Sequence, residues 1–278
     1  MTLTLNRTAE LNATRFLLLK SGCADRDTSS IRDAWDNYAN QHVALKLAKP
    51  GARREQLEQE AACLARLNHP QIVRLLDDEL CHSDELGDFI VLEWLAGRNL
   101  HSVIDSGRTM GEDRLVVIAQ QMCGAMSMLH HRRLIHGDIK PSNVIWTSDH
   151  GAVLIDFETV RPFGRAATDS QYTARYAAPE STNAHQVDGR SDIFSLGVTL
   201  YELASGGYHP FTEPGESMDA LAVATRVSIR QPRPLGNHVP IGLRDTIMTA
   251  LASDPADRFP TAQAMAQELA DLYWAVGP

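Results

Sequence analysis

The sequence has no hydrophobic run long enough to cross a bilayer. Its longest unbroken aliphatic or aromatic runs have only a few residues, as from Phe16 to Leu19, whereas a membrane-spanning helix needs about 20 apolar residues. The N-terminus also lacks the basic segment followed by an apolar one that marks a signal peptide. These two absences predict a protein without a membrane span, and the simplest expectation is a cytoplasmic one.

Cysteine and basic residues are scarce as well. The four cysteines, Cys23, Cys63, Cys81 and Cys123, form no C-x-x-C pair, which argues against a disulfide framework or a structural zinc site. The 26 Lys and Arg residues are outnumbered by 35 Asp and Glu residues, which gives a formal net charge of -9. Because binding along nucleic acid requires a basic face, the sequence predicts no nucleic-acid partner.

Residue types that can take part in catalysis are concentrated in the run His-Gly-Asp-Ile-Lys-Pro-Ser-Asn, from His136 to Asn143. This run presents Asp138, Lys140 and Asn143 within six positions. In phosphoryl transfer a carboxylate accepts a hydroxyl proton, a lysine neutralises the migrating phosphate, and an amide oxygen helps to hold a divalent cation. The run therefore indicates a phosphotransferase.

A second acid follows thirteen residues after Asn143. The apolar run from Val153 to Ile155 predicts a strand that ends in Asp156, where the carboxylate could bind the same cation. Together the two segments resemble the catalytic loop and the metal-binding turn of eukaryotic-type protein kinases, written H-R-D-L-K-x-x-N and D-F-G. The resemblance implies ATP and Mg²⁺ as cofactors, with Asn143 and Asp156 as the metal ligands.

The N-terminal part resembles the small lobe of these kinases. Phe16 to Lys20 and Val43 to Leu47 are strand candidates, and the resemblance makes Lys46 the lysine that binds the α- and β-phosphates of ATP. The stretch from Ala52 to Leu67 has apolar positions at helical spacing. Glu60 lies on the apolar face of that helix, where an unpaired charge is costly, so we predict that it pairs with Lys46.

Glycine is scarce where the family has its G-x-G-x-x-G loop. Between Phe16 and Ile31 only Gly22 fits that pattern, and Asp25 and Asp27 lie in the same stretch. Glycine lets the backbone of such a loop approach phosphate, whereas acidic side chains would repel phosphate. We therefore expect Gly22 to contribute to nucleotide binding, but with a weaker affinity for ATP than an intact loop provides.

Two further strand candidates, Ile72 to Leu76 and Phe89 to Leu92, lead into a segment that resembles the kinase hinge. The register of the resemblance places Leu92 at the gatekeeper position. It offers the backbone of Glu93 and Leu95 to adenine. It also places Asn99 where kinases have a polar residue that contacts the ribose.

Three later motifs make the resemblance specific. They are Thr173 to Glu180, which matches T-x-x-Y-x-A-P-E, Asp192 to Gly197, which resembles D-x-W-S-x-G, and Asp254 to Arg258, which matches D-P-x-x-R. By analogy, Arg258 pairs with Glu180, and Asp192 holds the backbone of the catalytic loop.

The segment from Asp156 to Glu180 is expected to work without a phosphate. Many kinases have an arginine before the catalytic aspartate, and a phosphate on the segment must neutralise it. Here that position is Gly137, which has no charge, so we expect little dependence on Thr168 and Ser170 as phosphate acceptors. The arginines able to grip an added phosphate are Arg161, Arg165 and Arg175.

The resemblance implies an α+β, bilobal fold in a single kinase domain spanning 1–278. The β-rich N-lobe would cover about 15–95 and carry one helix, and the mainly helical C-lobe would cover 96–278. The implied activity is transfer of the ATP γ-phosphate to Ser or Thr of a protein substrate, and a regulatory protein partner is compatible with it. The implied catalytic set is Lys46, Glu60, Asp138, Lys140 and Thr173, and Thr173 favours Ser or Thr over Tyr as the acceptor.

Two alternatives stay open on the sequence. A pseudokinase that acts as a binding module is motivated by the glycine-poor loop and by Glu158 in place of the D-F-G glycine. The tripeptides His-Gly-Asp and Asp-Phe-Glu, which are familiar from small-molecule kinases of the choline or aminoglycoside kinase type, favour the second alternative. The combination of Lys46, Glu60, Asp138 and Asn143 with Asp156 favours an active kinase over the first, and the three later motifs disfavour the second.

Overall fold

The computed structural model describes residues 15–19, 31–48, 54–77, 79–166, 174–182 and 187–275. They fall into two compact units. The first comprises the chain up to Asn68 together with Val73–Ala96, and the second comprises His69–Ile72 together with the chain from Gly97 onward.

The first unit is built on one antiparallel sheet and one helix. Its strands are β1 (Phe16–Leu18), β2 (Ile31–Asp36), β3 (Gln41–Leu47), β4 (Cys81–Ser83) and β5 (Gly87–Glu93), in the spatial order β1-β2-β3-β5-β4, and its helix is α1 (Arg54–Leu64). A cluster of residues that are each at most 1% exposed fills one face of the sheet, namely Ala34, Val43, Leu45, Phe89 and Val91. Because side chains alternate along a strand, Lys46 of β3 points to the opposite face.

The second unit is mainly helical. Its helices are α2 (His101–Asp105), α3 (Glu112–His130), α4 (Gly189–Ser205), α5 (Ala220–Ile229), α6 (Ile241–Ala250) and α7 (Ala262–Ala275). Its short strands form a sheet of β6 (Gly97–Asn99), β8 (Val144–Thr147) and β9 (Gly151–Leu154), and a pair of β7 (Leu134–Ile135) and β10 (Arg161–Pro162). One β-rich unit and one mainly helical unit confirm the predicted α+β fold class.

Helix α4 is the centre of the second unit. Asp188 caps its start by accepting a hydrogen bond from the Arg190 N–H, and Gly206 ends it in a left-handed conformation with φ 78°. Every residue from Ser191 to Ala204 is buried, so the polar side chains in this stretch must find partners inside the protein. Asp192 is one of them, and its partners lie in the catalytic loop.

The strand predicted from Ile72 to Leu76 is wrong. This segment makes only two isolated bridges, from Ile72 to Leu154 in the second unit and from Leu75 to Leu92 in the first. A strand needs a continuous partner, and this segment changes partner within three residues. The other predicted strands exist with shifted ends, and the predicted helix begins at Arg54 and ends at Leu64 rather than Leu67.

Candidate active site

Lys46 and Glu60 form a buried ion pair within the first unit. The Lys46 Nζ atom lies 2.7 Å from Glu60 Oε1 and 2.6 Å from Oε2, and the two residues are 4% and 1% exposed. Charge-assisted bonds to both carboxylate oxygens fix the ammonium group more firmly than a single contact would. The pairing predicted from the apolar face of α1 is therefore confirmed, and it ties a strand to a helix.

The hinge candidates lie at the end of β5, and Leu92 and Leu95 are both buried. The Glu93 N–H donates to the Arg74 carbonyl at 3.0 Å, and the Glu93 side chain accepts from the Arg74 N–H at 2.7 Å. The N–H of Glu93 is thus already used. A backbone contact from Glu93 to adenine would have to use its carbonyl oxygen.

Asn99 ends β6 in the second unit. Its Oδ1 atom accepts a hydrogen bond from the Ser102 N–H at 3.2 Å, beside the first residues of α2. Such a bond satisfies an N–H group in the first turn of the helix, which has no partner within the helix. The amide nitrogen and the second lone pair of Oδ1 are the groups that Asn99 can offer to a ribose hydroxyl.

Asp138, Lys140 and Asn143 meet around one carboxylate. Asp138 Oδ2 accepts from Lys140 Nζ at 2.6 Å and from Asn143 Nδ2 at 3.0 Å, and the same amide nitrogen donates to the Asp138 carbonyl at 2.9 Å. The other carboxylate oxygen, Oδ1, is buried and has no hydrogen-bond partner among the residues that the structure describes. One oxygen of Asp138 is therefore fixed by the protein, and the other can accept a proton from a ligand hydroxyl.

Asp192 of α4 holds the backbone of the catalytic loop. Its two carboxylate oxygens accept from the N–H groups of His136 and Gly137, each at 2.9 Å, and Oδ2 also contacts His130 Nε2 at 2.9 Å. Burial alone would raise the pKa of Asp192. The hydrogen bond and charge of His130, together with the hydrogen bond from the Gly137 N–H, outweigh burial and lower that pKa. The predicted role of Asp192 in holding this backbone is confirmed.

Asp156 follows β9 in a left-handed backbone conformation with φ 65°. The Ile155 N–H donates to the Asn143 carbonyl at 2.9 Å, which joins the end of β9 to the catalytic loop. The next residue, Phe157, is 1% exposed and packs edge-on against His136 with the ring centroids 5.0 Å apart. A positive φ is costly for a residue with a side chain, so these contacts must hold Asp156 in place.

Arg258 and Glu180 form the second predicted pair. The Arg258 Nη1 and Nη2 atoms lie 2.7 and 2.9 Å from the two oxygens of Glu180, and Nη1 also donates to the Arg190 carbonyl at 2.9 Å. The planar guanidinium suits this bidentate geometry. The pairing predicted by analogy is confirmed, and it joins the segment before α4 to the turn before α7.

Arg175 is engaged inside the protein rather than exposed to solvent. It donates to Glu202 Oε1 from Nε at 3.1 Å and from Nη2 at 2.5 Å, and the Tyr176 hydroxyl donates to Oε2 at 2.8 Å. Burial raises the pKa of Glu202, although Arg175 opposes that rise. Of the three arginines considered as phosphate ligands, Arg175 is thus occupied by a carboxylate of α4.

Several of the residues singled out from the sequence lie outside the described residues. They are Gly22, Asp25 and Asp27 of the glycine-poor loop, and Thr168, Ser170 and Thr173 of the segment before Glu180. Their predicted roles stay predictions.

Comparison with known proteins agrees with this geometry. The model of the protein kinase domain matches residues 27–270 of the chain. The chain belongs to the protein kinase family. Kinases of this family generally use ATP and Mg²⁺. In the described part of the chain, no helix is both long and apolar enough to cross a membrane.

The relatives are bacterial kinases. The serine/threonine-protein kinase pkn3 of Myxococcus xanthus is 32% identical over 247 residues, which cover 82% of this chain and 43% of that protein. PknL of Mycobacterium bovis is 31% identical over 264 residues, with 91% and 64% covered. PknB of Mycobacterium leprae is 29% identical over 253 residues, with 87% and 40% covered. The chain spans about 40% of the length of the first curated relatives that it matches.

Sequence reasoning missed two groups at this site. His130 contacts Asp192, although nothing in the pattern of α3 distinguishes it from a polar residue at a helix end. Thr159 donates from its hydroxyl to the His136 carbonyl at 2.7 Å and so joins the segment after Asp156 to the catalytic loop. Both contacts bridge distant parts of the chain, and only the position of Gly137, where the family has an arginine, hinted that the surroundings of this loop differ.

Proposed function

We propose that the chain catalyses Mg²⁺-dependent transfer of the γ-phosphate of ATP to a serine or threonine hydroxyl of a protein. The observation that carries the proposal is the Asp138 carboxylate, with Oδ2 fixed by Lys140 and Asn143 and Oδ1 buried without a partner in the described part of the chain. A general base needs a fixed orientation and one free acceptor atom within reach of the hydroxyl. Asp138 meets both requirements.

The reaction follows from these residues. Asp138 orients the acceptor hydroxyl and accepts its proton as the oxygen forms a bond to the γ-phosphorus, while the bond from that phosphorus to the β–γ bridging oxygen breaks and ADP leaves. Lys140 lies beside Asp138 and provides positive charge for the transferred group. Lys46 would bind the α- and β-phosphates of the donor, held in orientation by Glu60.

The donor atoms present fit a magnesium ion. The Asn143 amide nitrogen is used by Asp138, so the amide oxygen is the atom that Asn143 can offer to a cation. Asp156 adds a carboxylate, and carboxylate oxygens of Asp156 and Glu158 lie within 4.8 Å of each other. Mg²⁺ takes oxygen ligands of this kind and neutralises phosphate charge when bound. Glu158, which replaces a glycine, thus adds an acid without removing any proposed ligand.

Serine or threonine is the proposed acceptor for two reasons. The relatives are named serine/threonine-protein kinases, and Thr173 of this chain occupies the position where such kinases commonly have a threonine. A protein acceptor is favoured over a small molecule because the Arg258–Glu180 pair and the buried Asp192 belong to motifs that small-molecule kinases generally lack.

The test is direct. The purified chain is incubated with γ-labelled ATP, Mg²⁺ and dephosphorylated casein, and the labelled residues are identified by acid hydrolysis. We expect label on phosphoserine or phosphothreonine that is lost in Asp138→Asn and on chelation of Mg²⁺. Nucleotide binding without transfer by a folded wild-type chain would instead identify a pseudokinase, and label on phosphotyrosine alone would overturn the acceptor assignment.

A further inference from the structure

Arg161 occupies the space beside Gly137 in the catalytic loop. Gly137 has a φ of 79°, and a Cβ atom added there would overlap Arg161 Nη1 and lie 3.0 Å from Cζ. No side chain fits at residue 137 while the guanidinium lies there. Glycine at this position is therefore favoured twice, once by the positive φ and once by the space that Arg161 takes up.

The guanidinium is anchored by the segment that follows Asp156. Its Nε atom donates to the Arg165 carbonyl at 3.0 Å and its Nη1 atom to the Thr159 carbonyl at 3.2 Å. Thr159 is itself bonded to the His136 carbonyl, and β10 pairs with β7 so that Arg161 lies opposite Ile135. The segment and the start of the catalytic loop are thus joined on both sides of the guanidinium.

Arg161 also carries charge into a buried place, since the residue is only 8% exposed. Burial lowers its pKa, and the negative charges of Asp192 and Asp138 oppose that change. In the described part of the chain its hydrogen bonds go to carbonyl oxygens, and its charge acts on the two acids through space. One of these acids holds the loop, and the other is the proposed base.

We propose that Arg161 is a positioning residue for Asp138 and that Gly137 is its complement. The guanidinium fills the volume that Gly137 leaves and fixes the loop backbone directly before Asp138, so that the carboxylate keeps its orientation without an activation-segment phosphate. The proposal rests on the proposed kinase function and deepens it. The geometry of the loop then depends on an arginine of the chain itself rather than on a phosphate that must be added.

The first test compares two neighbouring arginines. Arg161→Ala should lower kcat by about tenfold or more, a barrier increase of about 1.4 kcal/mol, with KM for ATP within about twofold, because nucleotide contacts are unaffected. Free guanidinium ion added at millimolar concentration should restore part of kcat in Arg161→Ala. The matched control is Arg165→Ala, because the Arg165 side chain is exposed and, in the described part of the chain, the bonds of this residue are made by main-chain groups that alanine keeps, the carbonyl to Arg161 and the N–H to the Pro162 carbonyl. Its kcat should match the wild type.

The second test measures the coupling between the two positions. Gly137→Ala should evict the guanidinium and lower kcat in the wild-type background. In the Arg161→Ala background the same substitution no longer meets the guanidinium, and only the positive φ and the Thr159 carbonyl at 3.3 Å still oppose it. Its effect should therefore be smaller by about fivefold, which is an interaction between the sites of about 1 kcal/mol. Equal effects in both backgrounds would show that the two residues act independently and would overturn the proposal.

A third readout needs no activity. The N–H groups of His136 and Gly137 are bonded to Asp192, and Arg161→Ala should speed hydrogen exchange of the peptide that contains them by at least about tenfold relative to Arg165→Ala. If the wild type transfers no phosphate, the kinase proposal fails while faster exchange still supports the positioning role. Unchanged exchange together with unchanged kcat in Arg161→Ala would refute that role.

Discussion

Lys46 in the first unit is held by a side-chain ion pair with Glu60, whose carboxylate reaches it from α1. Asp138 in the second unit lies in a loop whose backbone N–H groups are held by Asp192, with further bonds from Asn143 and Thr159. The first arrangement depends on which two side chains are present. The second depends mostly on main-chain groups, which every residue but proline provides.

This difference explains where the sequence tolerates change. At residue 137 the family motif has an arginine and this chain has a glycine, yet the N–H at that position still reaches Asp192. Lys46 and Glu60 keep the residue types of the family, because no main-chain group could replace either charge. Substitutions of Lys46 or Glu60 should therefore remove the contact itself, whereas substitutions in the loop should leave the main-chain bonds to Asp192 in place.

The largest expected effect is at the proposed base. Asp138→Asn should lower the rate of transfer by about 10³-fold or more, since it removes the proton acceptor but can keep one bond to Lys140 or Asn143. Asp156→Asn should abolish transfer as well, through loss of a metal ligand. Labelled-ATP transfer and thermal unfolding are measured together. Near-normal transfer in either folded variant would remove that residue from its proposed role.

A smaller loss is expected in the first unit. Lys46→Met should lower kcat/KM by about 10²-fold, because one charged phosphate contact is lost. Glu60→Gln should lower it less, and the double variant should be close to Lys46→Met, since we expect Glu60 to affect transfer by orienting Lys46. Additive losses in this double-mutant cycle would contradict the single-pair description of the first unit.

The free energy of unfolding tests the Arg258–Glu180 pair, which lies in the second unit outside the catalytic loop. Arg258→Met leaves Glu180 without its cationic partner, with the Ser191 hydroxyl still donating to Oε1, and should lower the free energy of unfolding by about 3 kcal/mol. The matched control, Arg190→Met, removes a half-exposed pair with Asp188 and should cost about 1 kcal/mol or less. The midpoint of urea unfolding measures both. Equal losses would mean that burial of the Arg258 pair has no special weight.

The smallest effect is expected from the segment hydroxyls. Thr168→Ala combined with Ser170→Ala should change the rate by less than about tenfold, below about 1.4 kcal/mol in the barrier. Arg175 is already paired with Glu202, and Arg161 is bonded to two carbonyl groups, so two of the three candidate phosphate ligands are engaged. A larger loss, with rescue by prior phosphorylation of the wild type but not of the double variant, would assign a phosphate switch to these hydroxyls.

The sequence predicted contacts that depend on motif residues at fixed positions. The Lys46–Glu60 and Arg258–Glu180 pairs and the bonds from Asp192 to the loop could all be expected from residue type and register. The strand from Ile72 to Leu76 could not be judged in this way, because its apolar pattern says nothing about whether a continuous partner strand exists. Local pattern identifies a segment that can pair, and tertiary structure decides whether it does.

The engagement of the arginines was also beyond the sequence. Arg175 binds Glu202, which lies 27 positions away in the buried helix α4. Arg161 fits against Gly137 because Gly137 has no side chain. Nothing in the sequence around Arg161 indicates that its neighbour is a glycine 24 positions earlier. Complementary volumes between distant residues are visible only in three dimensions.

The engagement of Arg175 and Arg161 has a consequence for proteolysis. Trypsin must draw an arginine side chain and its flanking backbone into its own cleft, and it cuts poorly before proline. Arg175 is held by Glu202, and Arg161 is buried and followed by Pro162, whereas the side chain of Arg165 is exposed. A brief digestion of the folded chain should therefore nick this segment after Arg165 first, and the position of that first cut reports whether Arg161 and Arg175 keep their contacts.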